Sequence, residues 1–81
     1  MGAVGVRLLF EALAQDGAAW VEESCGLIFR RKAGRLVLVD RMPHAPGMPF
    51  TAERLLRAQR AQYEDIRRGW AEAGIAVTGW R

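Results

Sequence analysis

Residues 51–74 constrain the fold more than any other stretch, because Leu55, Gln59, Tyr63, Ile66, Trp70 and Ala73 recur there at helical spacing. Thr51 stands in front of the run and Gly74 behind it. A threonine hydroxyl satisfies the first orphan N–H groups of a helix, and glycine takes the left-handed conformation that ends one. The spacing therefore predicts one long helix from Thr51 to Gly74 with a single inner stripe, which must be buried against another layer. Just upstream, Pro43, Pro46, Gly47 and Pro49 exclude regular structure from about 42 to 50.

The rest of the chain supplies that layer. Val6, Leu9, Phe10 and Leu13 follow the i, i+3, i+4, i+7 pattern, and Asp16-Gly17 stops it, so a first helix is expected over about residues 4–16. Ser24 to Arg31 and Leu36 to Asp40 are apolar, strand-favouring runs, and Gly34 in the polar segment between them suits a hairpin turn. Both runs are apolar at nearly every position, which predicts a sheet covered on both faces. Ile75 to Trp80 reads as a third strand. The order α-β-β-α-β puts that strand after a helical crossover, so it can lie parallel to its neighbour. The expected class is α/β (α+β): a small mixed sheet with two packed helices.

With 81 residues and about half of them hydrophobic, the chain has room for one domain, residues 1–81, and no second core. A domain this size buries only roughly 60% of the surface its unfolded chain exposes, so its stability is marginal. The single cysteine, Cys25, cannot form an internal disulfide, and a free thiol suits a reducing compartment, so a cytoplasmic location is expected. The N-terminus MGAVGVRLLF does not read as a signal peptide or a myristoylation site, and no apolar run approaches the roughly 20 residues of a membrane span.

Glu22-Glu23-Ser24-Cys25-Gly26-Leu27-Ile28 places a carboxylate just before a Cys-Gly pair at the start of a strand. In order along the chain, the first helix, Glu23-Ser24-Cys25-Gly26-Leu27-Ile28, the hairpin, the loop ending at Phe50, the Thr51 helix and Gly74-Ile75-Ala76-Val77-Thr78-Gly79-Trp80 resemble the N-terminal half of a JAMM (JAB/MPN, Mov34-like) zinc metallopeptidase domain. The resemblance implies the first half of the deaminase-like JAMM fold. It also implies hydrolysis of an amide or isopeptide bond, typically at the tail of a ubiquitin-like protein. Glu23 then occupies the position of the catalytic Glu that takes a proton from the zinc-bound water and returns it to the leaving amine. The family holds zinc with a His-x-His motif and an Asp some ten residues later, and a Ser between them steadies the oxyanion. This chain ends at Arg81, where the first histidine is due. As given it is expected to hold no zinc and to be inactive alone. It departs from the family at Trp20-Val21, where Pro is common, at Phe29-Arg30, where Gly is common, and at His44, near a frequent Asn.

Other residues invite function less strongly. His44 is one loop histidine, short of the three or four ligands a zinc site needs. Cys25 has no histidine beside it and reads as a structural thiol. Arg54, Arg57, Arg60, Arg67 and Arg68 are offset by Glu53, Glu64, Asp65 and Glu72. Glu53 with Arg57, Arg60 with Glu64 and Glu64 with Arg68 stand at ion-pair spacing on a solvated helix face. Arg30, Arg31, Lys32 and Arg35 form one basic cluster at the hairpin tip, within a net charge of +3. Trp20, Trp70 and Trp80 read as core, with Trp80 also a candidate partner surface. Two alternatives follow the peptidase reading: a non-catalytic MPN-like module, pairing with its own copy through the C-terminal strand, and, ranked last, a small basic nucleic-acid binder.

Overall fold

The structure, a computed structural model, describes residues 17–22 and 25–81. The helix expected over 4–16 and the candidate base Glu23 lie outside the described residues. Four strands and one helix follow in the order β1 (Ala19–Glu22), β2 (Leu27–Lys32), β3 (Arg35–Arg41), α1 (Ala52–Glu72) and β4 (Val77–Thr78). The class is mixed α+β. The strands form one sheet in the order β1-β2-β3-β4, antiparallel at the first two pairings and parallel at the third. The parallel pairing requires a crossover, and α1 provides it.

The sequence places α1 closely. Thr51 Oγ1 accepts from the Arg54 N–H at 3.1 Å, and Leu55, Gln59, Tyr63, Ile66 and Trp70 are its buried residues. At the other end the Gly74 N–H donates to Ala71 O and the Ile75 N–H to Trp70 O. This double closure, with Gly74 at φ 78°, is a Schellman cap. The stripe packs on Leu27, Phe29, Leu36, Leu38 and Val77, so the core is one helix face against one sheet face.

Several expectations about the sheet are corrected. Ala19–Glu22 is a strand, held where Trp20 stacks on Phe29 (centroids 5.4 Å) and meets Trp70 edge-on (5.7 Å). The second run begins at Leu27, because Cys25 and Gly26 form a turn. The last strand shrinks to Val77–Thr78, because Gly79 at φ 102° leaves extended geometry. The two faces differ in burial: Leu27, Phe29, Leu36 and Leu38 are buried against α1, while Ile28, Val37 and Val39 on the opposite side are half-buried, and the helix expected to cover that side lies outside the described residues. The hairpin turns in two residues, Ala33 (φ 51°) and Gly34 (φ 77°), whose positive φ values suit the right-handed twist of the strands.

One irregularity decides what reaches the helix side. Ile28 pairs with Asp40 and Phe29 with Leu38, so Val39 is an extra residue in β3. Such a bulge reverses the side-chain parity beyond it. Arg41 consequently pairs with the buried Leu27 and faces α1.

Candidate active-site cleft

A cleft of about 590 Å³ opens where β3 ends. Its walls are Leu38, Val39, Asp40 and Arg41 of β3, Met42, Pro43 and His44 of the following loop, Ala52, Leu55, Leu56 and Gln59 of α1, and Gly79 and Arg81 after β4. Four segments meet here for topological reasons. The strand β2 is antiparallel to β3, so its start lies beside the end of β3, and β4 is parallel to β3, so its exit lies there too.

Two glycines permit the approach. A Cβ on Gly26 would lie 2.3 Å from Met42 Cβ, where the Met42 N–H donates to Gly26 O at 2.7 Å. A Cβ on Gly79 would lie 2.5 Å from Leu38 O and 2.8 Å from Leu38 N. All three Cβ distances are shorter than real contacts, and both glycines have positive φ.

The floor is polar. Gln59 is 1% exposed, with Nε2 donating to Cys25 O at 3.0 Å and Met42 O at 2.9 Å. Its Oε1 accepts from Arg41 Nη1 at 3.2 Å. The Arg41 guanidinium lies 4.8 Å from the Trp80 ring centroid and donates through Nη2 to Arg81 O. Arg60 lies 5.0 Å from the same ring, and Tyr63 adds a tilted contact at 5.4 Å. Trp80 is thus engaged by two cations and a tyrosine, contacts that are favourable in a partly desolvated setting.

The sequence-predicted residues distribute unevenly around this site. Glu23 lies outside the described residues; in the chain it follows Glu22, the last residue of β1, and stands two residues before Cys25 of the Cys25-Gly26 turn. His44 lines the cleft from an exposed loop, where its Nε2 is 2.6 Å from Phe50 O and its ring meets Phe50 edge-on. Cys25 is a half-buried cysteine outside any disulfide, and its Sγ lies 4.0 Å from Ala58 O. Among the described residues no three His, Cys, Asp or Glu side chains converge as a metal site, so these residues do not fit a zinc ion.

On α1 the Glu53–Arg57 and Arg60–Glu64 pairs form at 2.9 Å as expected. Glu64, however, takes Arg67 as its second partner at 3.4 Å, and Arg68 pairs with Asp65. The basic hairpin tip lies at the opposite end of the sheet, and Arg30 there donates to Gly17 O at 2.6 Å. Neither the inward aim of Arg41 nor the bonding role of Gln59 follows from the local sequence pattern. A polar residue in the middle of an apolar stripe was the one available signal for Gln59.

No protein-family model, no curated protein and no solved structure matches this chain. No helix among the described residues is long and apolar enough to cross a membrane.

Proposed function

We propose that this chain is the N-terminal portion of a JAMM-type zinc metallopeptidase domain acting on an amide or isopeptide bond at the tail of a ubiquitin-like protein. Glu23 is the group that accepts a proton from water and returns it to the leaving amine. The reading rests on sequence resemblance, and one structural observation supports it. The Cys25-Gly26 turn, two residues after Glu23, and the Gly79-Trp80 exit of β4 meet around Gln59 and Arg41 at the same end of the sheet. A domain that draws its base from the first segment and its metal ligands from sequence following the second needs those segments at one end. The metal ligands in this reading lie outside the described residues, so the chain contributes the base-bearing turn and the floor of the cleft.

The test is the reading frame after codon 81. A His-x-His within a few codons, followed some ten residues later by Asp, is expected, and the chain extended through it should bind zinc and cleave a ubiquitin-like fusion. Glu23→Gln in that extended chain should lower turnover by a factor of about 10² to 10⁴ at unchanged zinc content. Absence of the ligands, or a Glu23→Gln protein that turns over normally, defeats the reading.

A second reading, a non-catalytic module that pairs with its own copy, is favoured by the position of β4 at the edge of the described sheet. Edge strands present unpaired backbone groups to other chains. Val77 is 4% exposed and part of the core, so the probe of pairing is the exposed Thr78. Light scattering coupled to size exclusion should show a dimer that Thr78→Lys weakens, and a concentration-independent monomer excludes this reading.

A further inference from the structure

We infer that Gln59 is a positioning residue that clamps the Cys25-Gly26 turn, two residues after Glu23 in the chain, to the loop leaving β3. The functional meaning of the clamp rests on the reading of Glu23 as the base. Its existence rests on the contacts alone.

Every other buried residue of the α1 stripe is apolar or aromatic: Leu55, Tyr63, Ile66 and Trp70. A leucine would continue that stripe at no hydrogen-bonding cost, whereas an amide taken out of water must be satisfied. Gln59 is satisfied by both donors and its acceptor. Its two N–H groups reach Cys25 O and Met42 O, and its carbonyl oxygen takes Arg41 Nη1. The partners also fix the amide orientation, since two carbonyl oxygens call for the NH2 end and a guanidinium calls for the oxygen.

Two of those partners lie outside the strands, and the third, Arg41, ends β3. Cys25 belongs to a turn, Met42 opens the loop that lines the cleft, and the Met42 N–H also donates to Gly26 O at 2.7 Å. Arg41 faces α1 only because of the β3 bulge, and it carries the network on to Trp80 and Arg81. One buried side chain therefore ties the turn after Glu23, the cleft loop and the exit of β4 to the middle of a long helix. A catalytic group displaced by about 1 Å can lose on the order of 10² in rate, so a turn next to a general base has reason to be held this way.

Cys25 is the only cysteine, which makes its thiol a clean reporter of the turn. The experiment measures the rate at which 5,5′-dithiobis(2-nitrobenzoate) modifies Cys25 in the wild-type chain, in Gln59→Leu, and in Gln59→Asn, where the same amide is one methylene too short to reach both carbonyls. Ile66→Val, which thins the core on the same helix without touching the turn, is the control. All are compared at urea concentrations giving the same folded fraction, so a difference reports local opening rather than global unfolding. Both Gln59 variants should react at least about tenfold faster than the control at matched stability. Should Gln59→Leu fail to fold, Gln59→Asn carries the comparison. Rates that coincide at equal folded fraction overturn the clamp. Fast Cys25 modification together with a failed Glu23→Gln test would leave the clamp standing and remove only the peptidase reading.

Discussion

At the cleft end of the sheet a Cβ on Gly79 would press within 2.5 Å of the Leu38 carbonyl oxygen, and one on Gly26 within 2.3 Å of Met42 Cβ. At the hairpin end a Cβ on Gly34 would meet nothing within 4 Å. All three glycines have positive φ. The hairpin glycine is there for backbone conformation alone, whereas the cleft glycines also let separate chain segments touch. Gly74, which ends α1, belongs with the hairpin glycine: its φ is 78° and a Cβ there would also meet nothing within 4 Å.

The largest effects should follow from this difference. Gly79→Ala and Gly26→Ala combine left-handed strain with steric overlap, roughly 1–2 kcal/mol for the first and 1–3 kcal/mol for the second. Each should cost roughly 2–5 kcal/mol in urea denaturation, a large share of the roughly 4–12 kcal/mol expected for a domain of this size. Gly34→Ala carries the conformational cost alone and should lose only about 1–2 kcal/mol. Equal losses at the two ends would show that close approach contributes nothing and that φ explains all three positions.

The same contrast separates what the sequence made legible from what it did not. The helix was readable because its stripe, its threonine cap and its terminal glycine all state the same boundaries, and tertiary packing agreed with each. The β2–β3 turn was readable because Gly34 sits in a polar break between two apolar runs. The orientation of Arg41 was not readable: counting alternately from Leu36 and Leu38 sends it to the opposite face with Val37 and Val39, and only the bulge returns it to α1. The strand Ala19–Glu22 has too few strand-forming residues to announce itself, and it is fixed by Trp20 packing on Phe29 and Trp70. Gln59 was placed correctly in the stripe, but its partners come from 34 and 17 residues away, a separation no local pattern carries. Glu23 is singled out only by resemblance and lies outside the described residues, since a carboxylate near a strand start is otherwise an ordinary solvated group.

A smaller effect of opposite sign should appear at the hairpin tip. Ala33 adopts φ 51°, a conformation alanine disfavours and asparagine tolerates in a two-residue turn ahead of glycine. Ala33→Asn should therefore stabilise the chain by about 0.5 kcal/mol, read as a higher urea midpoint at unchanged slope. A loss of stability would mean that the alanine makes a contact worth more than the turn conformation.

The smallest effect belongs to the solvent face of α1, where Glu53 and Arg57 meet at 2.9 Å with side chains 79% and 74% exposed. An exposed pair gains little Coulomb energy in a high dielectric and must immobilise two flexible side chains. Glu53 also lies in the first helical turn, where a carboxylate is favourable to the helix dipole whatever Arg57 does. A single substitution mixes the two terms, so the pair is isolated by a double-mutant cycle of Glu53→Gln and Arg57→Gln. The coupling should be about 0.3–0.5 kcal/mol and should disappear in 1 M NaCl, where the screening length falls to about 3 Å. Arg57 on this face is spent on a weak, salt-sensitive pair, whereas Arg41 is held by Gln59 and Trp80 in the cleft floor. A coupling above about 1 kcal/mol, or one that salt leaves untouched, would break that distinction and make the helix surface a structural element in its own right.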